Sequence, residues 1–319
     1  MIPDDCTKQP RVVVVLGPTG VGKSQLAVEL AEHFGGEIIS ADSMQVYKLM
    51  DIGTDKPSHE AQRKVQHHLI DLVLPDEPFH AGLYRALARA VIADLHRARK
   101  PIWVVGGTGL YIKVLTQGLF PALAIDPDAR KRLKREARER GSGFLYGRLR
   151  QLDPATAERV HPNDLFRITR ALEVFESTGI PISLHRDQHH FGDRPFSLLK
   201  VGLEMERSKL YHRIEERVDR MIEQGFLEEV CGLLEKGYGP QLKPMQSLGY
   251  KQFTRFLLKE IGWDEAVDRV KRETRHYAKR QWTWFKADLE VRWQERLADG
   301  SLDRRRIVKE VASFLEGGG

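Results

Sequence analysis

A lysine and a hydroxyl close a glycine turn at the spacing Gly17-x-x-x-x-Gly22-Lys23-Ser24, the pattern of a loop that cradles phosphates. Gly17, Pro18, Thr19, Gly20, Val21, Gly22, Lys23 and Ser24 would carry it. Successive backbone N–H groups in such a turn point at an anion, and the helix that follows presents the positive end of its dipole. Lys23 adds a point charge, and the Ser24 hydroxyl suits Mg²⁺. The loop reads as a polyphosphate site without saying whose polyphosphate it holds. A second candidate is "SADSMQVYKLMDIGTDKP", residues 40 to 57. Asp42 beside bound polyphosphate could be a metal ligand, a general base or a helix N-cap. Ser43 and Gln45 supply neutral donors and acceptors suited to the edge of a base.

The usual nucleotide partners leave further marks. A GTPase carries an Asn-Lys-x-Asp base-reading motif, and this chain has none. An ATPase carries a long apolar strand ending in the Asp that holds Mg²⁺, whereas Asp71 of "HHLIDLV" sits mid-run. A kinase of a nucleotide or small metabolite stays open, with an Arg-rich lid supplied by residues 130–150.

These groups need elements to hold them. Short apolar runs at Val12–Leu16, Glu37–Ala41, Leu69–Leu72, Ile102–Val105 and Leu198–Leu203 read as buried strands. They alternate with helical patterns such as Ser24–Phe34 and Leu83–Arg97. Strand then helix, repeated, predicts an α/β fold with a doubly wound parallel sheet. In such a sheet, loops at the carboxyl ends of neighbouring strands converge on one crevice, which would bring Asp42, Ser43 and Gln45 to the phosphate loop. Between Asp126 and Pro195 the chain is dense in charge and helical in period, a helical insertion domain over 126–195 within a core of 10–125 and 196–319. Beyond Ser208 the pattern is helical again, over Lys209–Lys236 and Trp263–Asp288.

The chain has 319 residues, 51 Lys+Arg against 45 Asp+Glu, a net charge of +6 and a pI near 9.2. That balance permits a nucleic-acid partner without demanding one, so the placement of charge matters more than its sum. Cys6 and Cys231 are too few for a disulfide framework, which fits a reducing compartment. No signal-peptide core and no run of 18 apolar residues is present, so a cytoplasmic protein with no membrane association is expected.

Several segments together resemble the bacterial tRNA dimethylallyltransferases, also called tRNA isopentenyltransferases. The phosphate loop pairs with Ser40-Ala-Asp-Ser-Met-Gln-Val-Tyr47 and Asp51-Ile-Gly-Thr-x-Lys-Pro57. Val105-Gly-Gly-Thr-Gly-Leu-Tyr111, His161-Pro-Asn-Asp164, Arg170-Ala-Leu-Glu-Val174, Ser247-Leu-Gly-Tyr250 and Lys279-Arg-Gln-x-Thr-Trp284 follow in order. The likeness runs from about Arg11 to Lys286, and the stretch after Lys286 carries little of it.

The resemblance implies transfer of a five-carbon prenyl group from dimethylallyl diphosphate to N6 of an adenosine. That adenosine lies just 3′ of the anticodon, in tRNAs reading codons that begin with U. The phosphate loop would then hold the donor's diphosphate with Mg²⁺, and no ATP would be consumed. Asp42 takes the role of general base, and Thr19 touches the leaving oxygen. Arg213 and Arg217, four apart on one helical face, could clamp the diphosphate or form a solvated face with Glu215 and Glu216.

Family contacts to the tRNA anticodon stem-loop fall on Asp42, Ser43, Met44 and Gln45, on Thr108 and on Arg130. They continue through Phe166, Arg167, Ile168, Thr169 and Arg170, then Met245, Gln246, Ser247, Leu248, Gly249, Tyr250, Lys251 and Gln252. The last set is Lys279, Arg280, Gln281, Trp282, Thr283, Trp284, Phe285 and Lys286. Of these, Arg167, Arg170, Lys251, Lys279 and Arg280 can reach phosphates, while at least one of Trp282 and Trp284 is expected in the core.

Charge placement agrees with an RNA partner. Residues 130–150 hold nine Arg/Lys against two Glu, and residues 269–286 hold seven against one, interleaved with aromatic residues. Two clusters this lopsided in a chain of net charge +6 predict a phosphate-tracking surface. The expected state is a monomer. A tRNA-binding protein with a vestigial loop is the non-enzymatic alternative, disfavoured by the intact Lys23, Ser24 and Asp42.

Overall fold

Val12, Val13, Val14, Val15 and Leu16 are all fully buried, as expected of a central parallel strand covered on both faces. A computed structural model of the chain describes residues 9–118, 127–189, 193–294 and 300–317. Cys6 and the 125/126 boundary of the expected insertion lie outside them. The elements in order are β1 (Arg11–Leu16), α1 (Lys23–Phe34), β2 (Glu37–Ser40), α2 (His59–Lys64), β3 (His67–His68), α3 (Ala81–Arg97), β4 (Ile102–Gly106) and α4 (Gly109–Gln117). Five helices follow: α5 (Pro127–Arg140), α6 (Ser142–Leu152), α7 (Pro154–Ala157), α8 (Leu165–Thr178) and α9 (Ile182–His189). The chain continues through β5 (Ser197–Leu203), α10 (Arg207–Glu223), α11 (Phe226–Glu235), α12 (Tyr250–Leu257), α13 (Trp263–Lys286), β6 (Val291–Gln294) and α14 (Arg304–Glu316).

The strands form one parallel sheet in the order β3-β2-β4-β1-β5-β6. After β1 the chain moves past β4 to build β2, and β5 later adds on the other side of β1. The order therefore reverses beside β1, where ligands bind in open α/β sheets. On one face, Leu26 and Leu30 of α1 and Ile307 and Val311 of α14 share a core with Val13, Val15, Leu199 and Val201. Tyr84, Ala88, Ile92 and Leu95 recur at helical spacing as the buried stripe of α3. Among the described residues, those up to Thr116 and from Pro195 onward form one compact unit, and those within Gln117–Arg194 form another. The second unit has its own core of Leu133, Leu145, Leu149, Ile168 and Leu172.

Two expectations need correction, and the C-terminal stretch adds elements that no expectation covered. Leu69–Leu72 is not a strand. Pairing stops at His68, and Leu69 and Asp71 adopt left-handed φ values of 63° and 55°, which turn the chain away. Lys209–Lys236 is two helices, broken at Gly225 with φ 96°. The stretch after Lys286 completes the fold, since β6 extends the sheet beside β5 and α14 covers one face.

Candidate active site

The phosphate loop leaves the end of β1 so close to β5 that a Cβ on Gly17 would lie 2.5 Å from the Leu203 carbonyl oxygen. No other residue fits there. α1 begins at Lys23, and its first turn carries no acidic residue, so no side chain of the helix itself opposes an anion at its N-terminus. Lys23 Nζ donates to the Pro18 carbonyl at 2.8 Å. Burial, reinforced by the neighbouring Arg217 cation, lowers the Lys23 ammonium to about 8. A group so placed gains from an incoming anion.

Thr19 is held from two sides. Arg217 on α10 donates from Nη1 to Thr19 Oγ1 at 2.7 Å and lies 3.3 Å from Asp55. The Thr19 backbone N–H donates to Oε1 of Gln281 at 2.8 Å, and Nε2 of Gln281 donates to the Gly107 carbonyl at 2.9 Å. Gln281 is 6% exposed. Its amide thus bridges the phosphate loop and the turn after β4, and both its polar ends are spent inside the protein.

Asp42 follows β2 directly. Its Oδ1 accepts the Met44 N–H at 2.8 Å, and no helix starts until His59, so it closes a turn and caps no helix. Burial raises the Asp42 carboxyl, opposed by the Met44 and Gln45 N–H groups and by the Lys23 and Arg217 cations. The Ser43 N–H donates to Thr108 Oγ1 at 3.0 Å. Gln45 accepts from Ser40 at 2.8 Å and donates to the Asp55 and Thr54 carbonyls at 3.0 and 3.3 Å. Asp71, the misplaced candidate for a metal-holding strand end, pairs with Lys56 at 2.5 Å.

Two cavities meet at these side chains. One, of about 510 Å³, is lined by Thr19, Lys23, Ser24, Arg213, Arg217 and Arg220 among others. The second, of about 420 Å³, is lined by Ser43, Met44, Ser247–Tyr250, Tyr277 and Arg280, with an apolar wall of Ile214, Val218, Met221, Phe226 and Val270. Thr19, Asp42, Thr54, Arg217 and Met221 line both. A cationic cavity therefore joins a mixed polar and apolar one, with a buried carboxylate and a hydroxyl at the junction. That arrangement suits an anionic leaving group on one side and a weakly nucleophilic acceptor on the other.

Arg213 and Arg217 both line the cavity, Arg217 tied to Thr19 and Asp55 and Arg213 exposed, while Glu215 pairs with Arg275 and Glu216 with His212. The sequence reading missed Arg220, whose i, i+3 spacing from Arg217 could have found it. It also missed Asp55, Thr54 and Tyr277, which have no local signal. Other expected residues lie elsewhere. Ile168, Met245 and Phe285 are core side chains, and Thr169 is buried. Tyr250 is buried at the base of the second cavity. Gln252 is buried, bonding to the Gly249 N–H and to Glu273. Trp282 and Trp284 are 46% and 44% exposed, so neither is the core tryptophan expected.

Phe166, Arg167, Gln246, Lys251, Lys279, Arg280, Thr283 and Lys286 are exposed. In the second unit, Arg130 forms a two-pronged pair with Glu173, a carboxylate 1% exposed, and Arg170 lies 3.6 Å from the same group. Much of the 130–150 cluster is paired within that unit, including Arg148 with Glu136 and Glu176. Lys134 and Arg138 are exposed.

Fold and site define a phosphate-loop α/β protein whose crevice opens onto a second, partly apolar cavity. The chain belongs to the IPP transferase family, whose description matches residues 45–288. It is 54% identical over 288 residues to the tRNA dimethylallyltransferase of Desulfosudis oleivorans, covering 90% of this chain and 92% of that one. It superposes on the full-length tRNA isopentenylpyrophosphate transferase of Bacillus halodurans with a TM-score of 0.72, at 36% identity, covering 97% of this chain and 98% of that one. A eukaryotic dimethylallyltransferase acting on tRNA matches with a TM-score of 0.81 at 28% identity, over 97% of this chain and 80% of that one. Among the described residues, no helix is long and apolar enough to cross a membrane.

Proposed function

We propose that this chain transfers the dimethylallyl group of dimethylallyl diphosphate to N6 of the adenosine 3′ to the anticodon, in tRNAs reading codons that begin with U. The junction of the two cavities at Thr19, Asp42 and Arg217 carries the reading. The N6–C1 bond forms as the C1–O bond breaks, and the electron pair of that bond leaves on diphosphate. An exocyclic amine is a poor nucleophile because its lone pair is delocalised into the ring. Asp42 accepts the N6 proton as the new bond forms. Lys23, Arg217, the Thr19 hydroxyl and the loop N–H groups stabilise the charge growing on the leaving oxygens.

Among the described residues, no group of three His, Cys, Asp or Glu side chains could hold a metal ion. Mg²⁺ would therefore rest on the donor's own phosphates, water and Ser24, which lines the cavity. When bound, it neutralises charge on the diphosphate.

The acceptor base must leave its stack to reach Asp42, at roughly a few kcal/mol. The second cavity, with Met44, Ser247 and Arg280 on its walls, would receive it. Exposed cations at Lys251, Lys279, Arg280, Lys134 and Arg167 would track phosphates of the anticodon stem-loop, and exposed Trp282 and Trp284 could stack on bases. The enzyme would act in the cytoplasm as a monomer. Labelled dimethylallyl diphosphate incubated with bulk tRNA, followed by nucleoside analysis, tests the reading. Prenylated adenosine is expected, and phosphate transfer from ATP without RNA would instead support the kinase.

A further inference from the structure

Glu229 on α11 makes four hydrogen bonds with one carboxylate. Its Oε2 accepts the backbone N–H groups of Asp51 and Ile52, both at 2.8 Å. Its Oε1 accepts the Gly53 N–H at 3.2 Å and the Tyr250 hydroxyl at 2.6 Å. Three successive N–H groups converging on one anion form a nest, and here the protein supplies the anion itself. Phe226, one turn earlier on the same helix, completes the joint. A Cβ on Gly53 would lie 2.2 Å from its ring, and one on Gly249 would lie 2.5 Å from it. The glycines of "DIGT" and "SLGY" thus let backbone pass against this ring at two points.

The loop that Glu229 holds leads straight to the site. Thr54 and Asp55 present the carbonyls that grip the Gln45 amide, and the Asp55 carboxylate pairs with Arg217, which donates to Thr19. Tyr250, bonded to the same carboxylate, lines the second cavity.

We propose that Glu229 is a positioning residue for the transfer. By holding the 51–53 backbone and the Tyr250 hydroxyl at one carboxylate, it sets Gln45 and the Asp55–Arg217 pair relative to Thr19 and Asp42. The inference rests on the prenyl-transfer reading above. Glu229→Gln keeps the shape but turns one oxygen into an NH₂ group facing N–H donors, so about half the anchor is lost. Misplacement of reacting groups by about 1 Å can cost on the order of a hundredfold in rate.

The test compares the parent protein, E229Q and Y250F. It measures single-turnover rate with both substrates saturating, KM for an anticodon stem-loop RNA, and Kd for inorganic pyrophosphate with Mg²⁺. E229Q should lower the rate roughly ten- to a hundredfold and raise the RNA KM, with a smaller loss of pyrophosphate affinity, because Lys23 and the loop N–H groups stay in place while Arg217 shifts. Y250F, losing one bond of four, should fall between them. A rate and RNA KM for E229Q within twofold of an active parent overturn the proposal. So does a pyrophosphate affinity that falls in step with the rate, which marks a general structural pin. Should E229Q not fold, an unchanged rate and KM in Y250F overturn it. A parent that transfers nothing removes the functional reading and this inference with it.

Discussion

Gln281, near the end of α13, accepts the backbone N–H of Thr19 at 2.8 Å across 262 residues of chain. Its other amide atom donates to Gly107 at the end of β4. One side chain therefore sets the spacing between two loops of the crevice, and it does so from within a segment whose neighbours are exposed cations.

Replacing Gln281 with Leu takes this partner from the half-buried Thr19 N–H and from the buried Gly107 carbonyl. Each such group costs about 1–3 kcal/mol. Urea unfolding should show a loss of that order, and KM for dimethylallyl diphosphate should rise as Thr19 loses its anchor. A variant with parental stability and KM would show that the loop holds its shape without this amide.

Asp42→Asn should lower single-turnover rate by ~10²–10⁴-fold, the usual contribution of a general base. Donor affinity should barely change, because Lys23 and the loop are untouched. Collapse of donor binding with recovery at high Mg²⁺ would make Asp42 a metal ligand instead. Because burial raises this carboxyl, the parent's rate should fall on acidification at a pH above the ordinary carboxylate range. The base is lost on the low-pH side, and the limb should vanish in Asp42→Asn.

Lys23 gives the opposite limb. Its ammonium titrates near 8 in the free protein, against 10.5 for an unperturbed lysine. A bound diphosphate favours the charged form, so donor affinity should be constant below about pH 8. Above it, Kd should rise by up to about tenfold per pH unit. Folding stability runs the other way. Between about 8 and 10.5 the unfolded chain holds the extra proton, so this group's contribution to stability grows as pH rises through that window. Calorimetric Kd values across the range decide the point, and Lys23→Met should flatten the profile.

Combined Ala substitutions at Lys134, Arg135, Lys279 and Arg280 should weaken tRNA binding and flatten its salt dependence. Each lost phosphate contact lowers the log–log slope by about 0.7–0.9. Arg135 and Glu139, 4.0 Å apart, make a loose exposed pair, Lys279 is exposed, and Arg280 is exposed and lines the second cavity. An unchanged slope would mean that these residues are solvated helix faces.

The amino-acid sequence by itself determined the sheet's central strands, the phosphate loop and the place of Asp42. These are local facts. A short β-branched run of valines closed by a glycine turn reads as a doubly covered strand, and Gly17 through Ser24 carry their geometry in their own spacing. The parallel α/β order then obliges the loops after β1, β2 and β4 to meet. The exchange of partners among side chains far apart in the chain was decided only by tertiary structure. No period marks Gln281 as the partner of Thr19, Glu229 as the anchor of residues 51–53, or Asp55 as the acid facing Arg217. At least one of Trp282 and Trp284 reads as a core residue because large aromatics bury well, yet the narrow buried stripe of this part of α13 is filled by Ala278, Gln281 and Phe285. The short, half-exposed strand β6 has too few apolar residues to announce itself, and it exists because β5 offers it an unpaired edge. Pattern reports what one segment can bury, whereas hydrogen-bond partners and exposure depend on which other segment arrives opposite it.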